Sequence, residues 1–147
     1  LFVFSSCGIA KEPEGKSSSI SSKPAIYFVV MRIYRDDDKN ENKIELIKKT
    51  LTEGIMKGKD ESARQSTNNL LIYLIDNAKI KDSLIIDHPL YKHFEYADES
   101  GNFAVKDTLV ASAEFFFRFQ SMHSNSEIRI VERIGTKKTN ELKQFKL

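Results

Sequence analysis

The sequence predicts an all-β fold, an antiparallel β-sandwich over residues 25–135, and three observations carry that prediction. Runs dense in β-branched and aromatic residues recur along the chain. Clusters of Asp, Asn, Ser and Gly, residues that favour tight turns, stand between them. Two of the later runs place apolar side chains at alternate positions, Phe115, Phe117 and Phe119 in one and Ile128, Ile130 and Ile134 in the other, as expected of a strand that buries one face.

The first run begins at Ile26-Tyr27-Phe28-Val29-Val30, continues to Tyr34 and stops at Asp36-Asp37-Asp38, which predicts a long central strand. Residues 70–75 and 83–86 are two apolar runs joined through Asp76-Asn77-Ala78-Lys79, a hairpin signal. A second hairpin is expected where Phe94-Glu95-Tyr96 and Phe103-Ala104-Val105 bracket Asp98-Glu99-Ser100-Gly101-Asn102, with Gly101 free to take positive φ. Between 114 and 120, Phe115, Phe117 and Phe119 share one face, assigned to the core. Phe116, Arg118 and Gln120 share the other, partly wet face. The last run directs Ile128, Ile130 and Ile134 inward, and residues 136–147 are expected to be a polar C-terminal tail that frays.

Residues 43–57 admit two readings. Ile44, Ile47, Leu51 and Ile55 recur as one face of an amphipathic helix would, giving a short helix over 44–56. Against it, Gly54 and Gly58 each cost a helix about 1 kcal/mol relative to Ala. The neighbouring chain is strand after strand, so a pair of strands broken near Thr50 is preferred. Strands this short and this closely spaced suit a sandwich of immunoglobulin-like or transthyretin-like kind.

At 147 residues, 40% hydrophobic and 30% charged, the chain suits one core with tails and not two domains. Its 23 basic and 21 acidic side chains are interleaved, for a net charge of +2, so no strong field exists to attract nucleic acid, which is not an expected partner. No run approaches the roughly 18 apolar residues that span a bilayer, so any membrane attachment must have another source.

The chain opens Leu1-Phe2-Val3-Phe4-Ser5-Ser6-Cys7-Gly8, an apolar stretch without the charged start of a signal peptide, and residues 1–6 are expected to be the remnant of one. Phe4-Ser5-Ser6-Cys7 resembles the bacterial lipobox, with Phe4 where Leu is commoner, as in lipoproteins of the Bacteroidota. The resemblance implies a lipidated Cys7 carrying diacylglycerol and an N-acyl chain, with no other cofactor. A buried thiol at a strand end is the rival, since free Cys packs as a small hydrophobe. Cys7 is the one cysteine in the sequence, without a disulfide partner, and the segment after it cannot pack, which favours lipidation.

Residues 7–24 comprise that Cys and a Ser-, Lys- and Glu-rich tether with almost no apolar side chains. As a flexible coil of about 17 residues it spans roughly 23 Å, from ~5–6 Å times the square root of its length. Two or three acyl chains, at roughly 0.8 kcal/mol per buried methylene, anchor stably where one binds only marginally.

Catalytic residues are not expected. The chain has no Gly-x-Ser-x-Gly elbow, no phosphate-cradling glycine loop and no Cys/His pair near a base, so it is not read as an enzyme. His88, His93 and His123 lack metal-recruiting spacing, and His88 and His93 are assigned structural or solvent roles. Asp36, Asp38, Asn40 and Asn42 alternate oxygen ligands as a calcium loop begins, but Glu41 and Ile47 stand where that loop needs Gly and a bidentate Glu. A solvated turn is the better reading, and no metal is expected. Tyr27, Phe28, Tyr34, Tyr73, Tyr91, Phe94 and Tyr96 could include a sugar-stacking platform, though aromatics on strands more often pack in the core.

The layout of lipidated Cys, short tether and one small sandwich is similar to that of small type VI secretion lipoproteins. It implies a non-catalytic interaction module that docks on another envelope protein, as a component of a secretion-system membrane complex. The alternative is a lipoprotein that binds a glycan or other nutrient for an outer-membrane uptake system. Gly8 and not Asp follows Cys7, which points to the outer membrane, facing the periplasm or the cell surface.

Overall fold

The run that opens at Ala25 becomes β1 (Ala25–Asp36), and it turns at 37–40 into β2 (Glu41–Glu53). The chain continues through β3 (Asn69–Asp76), β4 (Lys79–Asp87), β5 (Tyr91–Ala97), β6 (Phe103–Leu109), β7 (Ser112–Ser121), β8 (Glu127–Ile134) and β9 (Lys138–Lys146). This computed structural model describes residues 23–58, 66–121, 126–136 and 138–147, and among them every strand pairing is antiparallel and no helix occurs. Cys7, His123 and the tether up to residue 22 lie outside the described residues.

Two sheets enclose one core. The first has the order β2-β1-β7, so β1 is central as expected, and the second has the order β4-β3-β8-β9. Alternation decides which side chains meet between them. Tyr27, Val29, Met31 and Ile33 of β1 and Phe115, Phe117 and Phe119 of β7 face Leu70, Ile72 and Leu74 of β3 and Ile128 and Ile130 of β8. Each such side chain contributes roughly 1.5–3 kcal/mol on leaving water. The three phenylalanines form a file, with ring centroids 6.3 Å apart for Phe115 and Phe117 and 5.8 Å for Phe117 and Phe119.

Three expectations are corrected. Residues 41–53 are one continuous strand and neither a helix nor two strands. The whole segment pairs with β1, and the irregularity falls at Ile47, the extra residue between Leu46 and Lys48 in the ladder. Of the helix-spaced residues, Ile44 is buried while Ile47, Leu51 and Ile55 are exposed. Residues 138–146, expected to fray, form β9 on the open side of β8, because Leu142, Phe145 and Leu147 pack against the core and Leu147 donates its N–H to the Ser126 carbonyl at 2.8 Å. The inward file of β8 is Ile128, Ile130 and Glu132, with Ile134 only half-buried at the strand end.

The two expected hairpins are present. Asn77 and Ala78 carry φ of 49° and 60°, the signature of a two-residue turn with both central residues left-handed. Gly101 takes φ of 80° in the turn between β5 and β6.

Candidate interaction surface

Among the described residues, β5 and β6 form a two-stranded ribbon that joins neither sheet. Its root is held firmly. Pro89 and Leu90 are buried, with Leu90 in the common core, and the Leu90 carbonyl accepts the Val110 N–H at 2.9 Å, closing the two legs of the ribbon. His88 N–H donates to the Asn68 carbonyl and Tyr91 N–H to the His88 carbonyl, each at 3.0 Å.

The His88 side chain fixes the root to both sheets. Its Nδ1 accepts the Leu90 N–H at 3.2 Å, so the ring proton sits on Nε2, which donates to Glu132 Oε1 at 2.8 Å. The same carboxylate oxygen accepts a hydrogen bond from the Asn42 amide of β2. One buried cluster thus ties β2 of one sheet, β8 of the other and the β4–β5 connection. Tyr91 packs its ring edge-on to His88, centroids 4.9 Å apart.

Beyond the root the ribbon is wet on both faces. The register sets Phe94 opposite Lys106 and Tyr96 opposite Ala104 on one face, and Glu95 opposite Val105 and Ala97 opposite Phe103 on the other. Phe94 and Tyr96 are half-exposed, Val105 slightly more so, and Phe103 is 91% exposed. Asp98 shapes the tip. Its Oδ1 accepts the N–H groups of Asn102 at 2.8 Å and Ser100 at 2.9 Å, and these bonds, Asn102 first, hold its carboxyl below the ordinary value.

Beside the root lies a cleft of about 610 Å³, lined in part by Asp87, Tyr91, Lys92, His93, Glu95 and Asp107. His93 Nδ1 and Asp107 Oδ1, opposite each other across the ribbon, are 2.6 Å apart and largely exposed. A histidine oriented by a carboxylate can exchange protons, but the hydroxyl of Ser66 in this cleft is engaged with its own turn, donating to the Asn68 carbonyl at 2.9 Å.

The calcium-loop residues do not converge. Asp36 pairs with Lys43, whose hydrogen bond lowers the Asp36 pKa, Asn40 accepts from Arg35, and Asn42 turns inward to Glu132. Asp38 is exposed in the turn, and among the described residues no cluster of three or more His, Cys, Asp or Glu is arranged for a metal. Of the aromatic set, Tyr27 is core, Tyr34, Tyr73 and Tyr91 are half-buried, and only Phe94 and Tyr96 stand together on an open face. The Glu132 site was not legible from motifs. The available signal was its position in the inward register of β8, two residues after Ile130.

Comparison with protein-family models, with curated proteins and with solved structures finds no match to this chain.

Proposed function

We propose that this protein is a lipid-anchored, non-catalytic interaction module of the bacterial cell envelope, with the β5–β6 ribbon as the element that meets a partner protein. The observation that carries the reading is the ribbon itself. A soluble surface rarely leaves adjacent aromatic and branched apolar side chains in water on both faces of an element unless another surface covers them. A firmly held root with an exposed arm suits insertion into a groove, since little order has to be gained on binding.

The anchor rests on Phe4-Ser5-Ser6-Cys7 and on the composition of residues 8–24. Cys7 carries diacylglycerol and an N-acyl chain, and the tether holds the domain clear of the outer-membrane head groups. A secretion-system membrane complex is the expected setting. Mass spectrometry of the N-terminal peptide from cells tests the anchor: two or three acyl groups on Cys7 are expected, and Cys7→Ser should leave the membrane fraction. An unmodified thiol would defeat it.

The cleft of about 610 Å³ favours the second reading, a glycan- or nutrient-binding lipoprotein, because its size falls in the range of small-molecule sites. A pull-down from solubilised envelope separates the two. Envelope subunits captured by the native chain and lost with Phe103→Ser and Phe94→Ser support the ribbon, whereas a glycan-array signal without protein partners supports the cleft.

A further inference from the structure

Among the described residues, each sheet of the sandwich ends in two edge strands, β2 and β7 in the first and β4 and β9 in the second. Open edges invite pairing with other chains, and proteins blunt them with bulges and lysines. Three of these four are blunted in that way. β2 carries Ile47 as an extra residue beside Lys48 and Lys49, β4 carries Lys81 as an extra residue beside Lys79, and β9 carries Leu142 as an extra residue beside Lys143. β7 is different. Its ladder with β1 runs from Ser112 to Ser121 without a break, and it holds no lysine.

We propose that β7 is a homodimer interface, in which two copies pair edge to edge, antiparallel, about a two-fold axis through Phe116. This inference stands apart from the ribbon and from the lipid anchor. The outward face of β7 reads Glu114, Phe116, Arg118, which is complementary to itself when reversed. In the register that places Phe116 opposite its own copy, Glu114 of each chain lies opposite Arg118 of the other. Opposite charges and aromatic pairs directly across a ladder stabilise it, and like charges there oppose it. The same register sets Phe115 opposite Phe117 on the inward face. Phe116 is 75% exposed in the single chain, and Val30 is its neighbour on β1, so pairing would cover an apolar spot at the rim.

A shallow groove of about 250 Å³ runs along this rim between β7 and β4, with Met56, Leu84, Ile86, Phe117 and Phe119 in its lining. A second copy on the β7 edge would shield that opening too. The union joins two three-stranded sheets into one of six, β2-β1-β7 continued by its mirror order. Glu114 also accepts from Arg32 at 2.8 Å, so the carboxylate would lie between two guanidinium groups, one from each chain.

The test uses the full chain with Cys7→Ser, which removes the native thiol. Sedimentation over a concentration series is expected to show a monomer–dimer equilibrium. Glu114→Arg and Arg118→Glu singly should raise the dimer dissociation constant about tenfold or more. The double reversal should recover most of that loss, because swapped charges still match across the axis, falling short of full recovery because an arginine at 114 then faces Arg32. A second measurement does not depend on these variants folding. With Phe116→Cys, paired Cα atoms at about 4.5–5.5 Å fall inside the roughly 4.4–6.8 Å that a disulfide spans, so a covalent dimer should form under mild oxidation. Glu114→Cys alone should not form one, since its counterpart across the axis is Arg118. A monomer at every concentration, or equal cross-linking at positions 114 and 116, would overturn the proposal.

Discussion

The Nε2 atom of His88 lies 2.8 Å from Oε1 of Glu132, with both side chains buried and on different parts of the chain. Removing one partner from such a pair leaves the other desolvated and unmatched, which costs more than the pair itself is worth. His88→Leu should therefore destabilise the domain by about 3 kcal/mol, and Glu132→Leu by a similar amount because the Asn42 amide loses its acceptor as well. The double replacement should cost clearly less than the sum. Urea unfolding of the three variants measures this, and a His88→Leu cost below about 1 kcal/mol would show that the pair does not hold the root of the ribbon.

Much of the sandwich was readable because its strands obey local rules. Phe115, Phe117 and Phe119 recur at every second position, and Asp76-Asn77 and Asp98 to Asn102 are turn-forming. β2 resisted that reading because the extra residue at Ile47 breaks the period of two, so Ile44, Ile47 and Leu51 mimic a helical stripe. β9 resisted it for a related reason. Leu142 is the extra residue there, and Phe145 and Leu147 follow among lysines and glutamines, so the apolar positions look isolated until β8 sets their register. Glu132 was hidden because its partners, Asn42 and His88, lie far away in sequence and no spacing rule links them.

The tip of the ribbon should loosen in acid. The folded Asp98 carboxyl is depressed below its ordinary value of 3.8, chiefly by the Asn102 N–H and then by the Ser100 N–H. A depressed carboxyl supports the folded form fully above that ordinary value and loses its support as pH falls through the lower, folded one. The protection of the Ser100 and Asn102 amides, taken as exchange relative to the intrinsic rate at each pH, should fall as pH is lowered below 3.8, ahead of that of amides in β3 and β8. Asp98→Asn should remove that pH dependence, and an unchanged profile in this variant would refute the assignment.

Ala78 sits at φ of 60° in the turn between β3 and β4, a region that a side chain with a Cβ rarely occupies without cost. Ala78→Gly relieves that strain and completes the Asn-Gly pair favoured in two-residue hairpins. Glycine also loses more freedom on folding, which offsets part of the gain. The expected outcome is a stabilisation of about 0.5–1 kcal/mol, read as a higher urea midpoint with an unchanged slope. A lower midpoint would show that the turn is not strained as its dihedral angles indicate.

The exposed apolar side chains of the ribbon should separate stability from binding. Phe94 and Tyr96 on one face and Phe103 and Val105 on the other contribute little to the core, since they lie beyond the anchored root at Leu90 and Val110. Phe103→Ser should shift the unfolding free energy by no more than about 0.5 kcal/mol, as surface replacements do. Phe94→Ser should behave likewise, apart from a small cross-strand loss opposite Lys106. If the ribbon enters a partner's groove, these same replacements should weaken capture of envelope proteins about tenfold or more, because buried aromatic anchors dominate such interfaces. Solubility offers an independent readout: covering or removing an exposed apolar surface should reduce self-association of the free domain that survives in the Glu114→Arg variant, where the β7 pairing is disrupted. A large loss of stability in Phe103→Ser would instead place that side chain in the folding core and remove the basis for the ribbon as a contact surface.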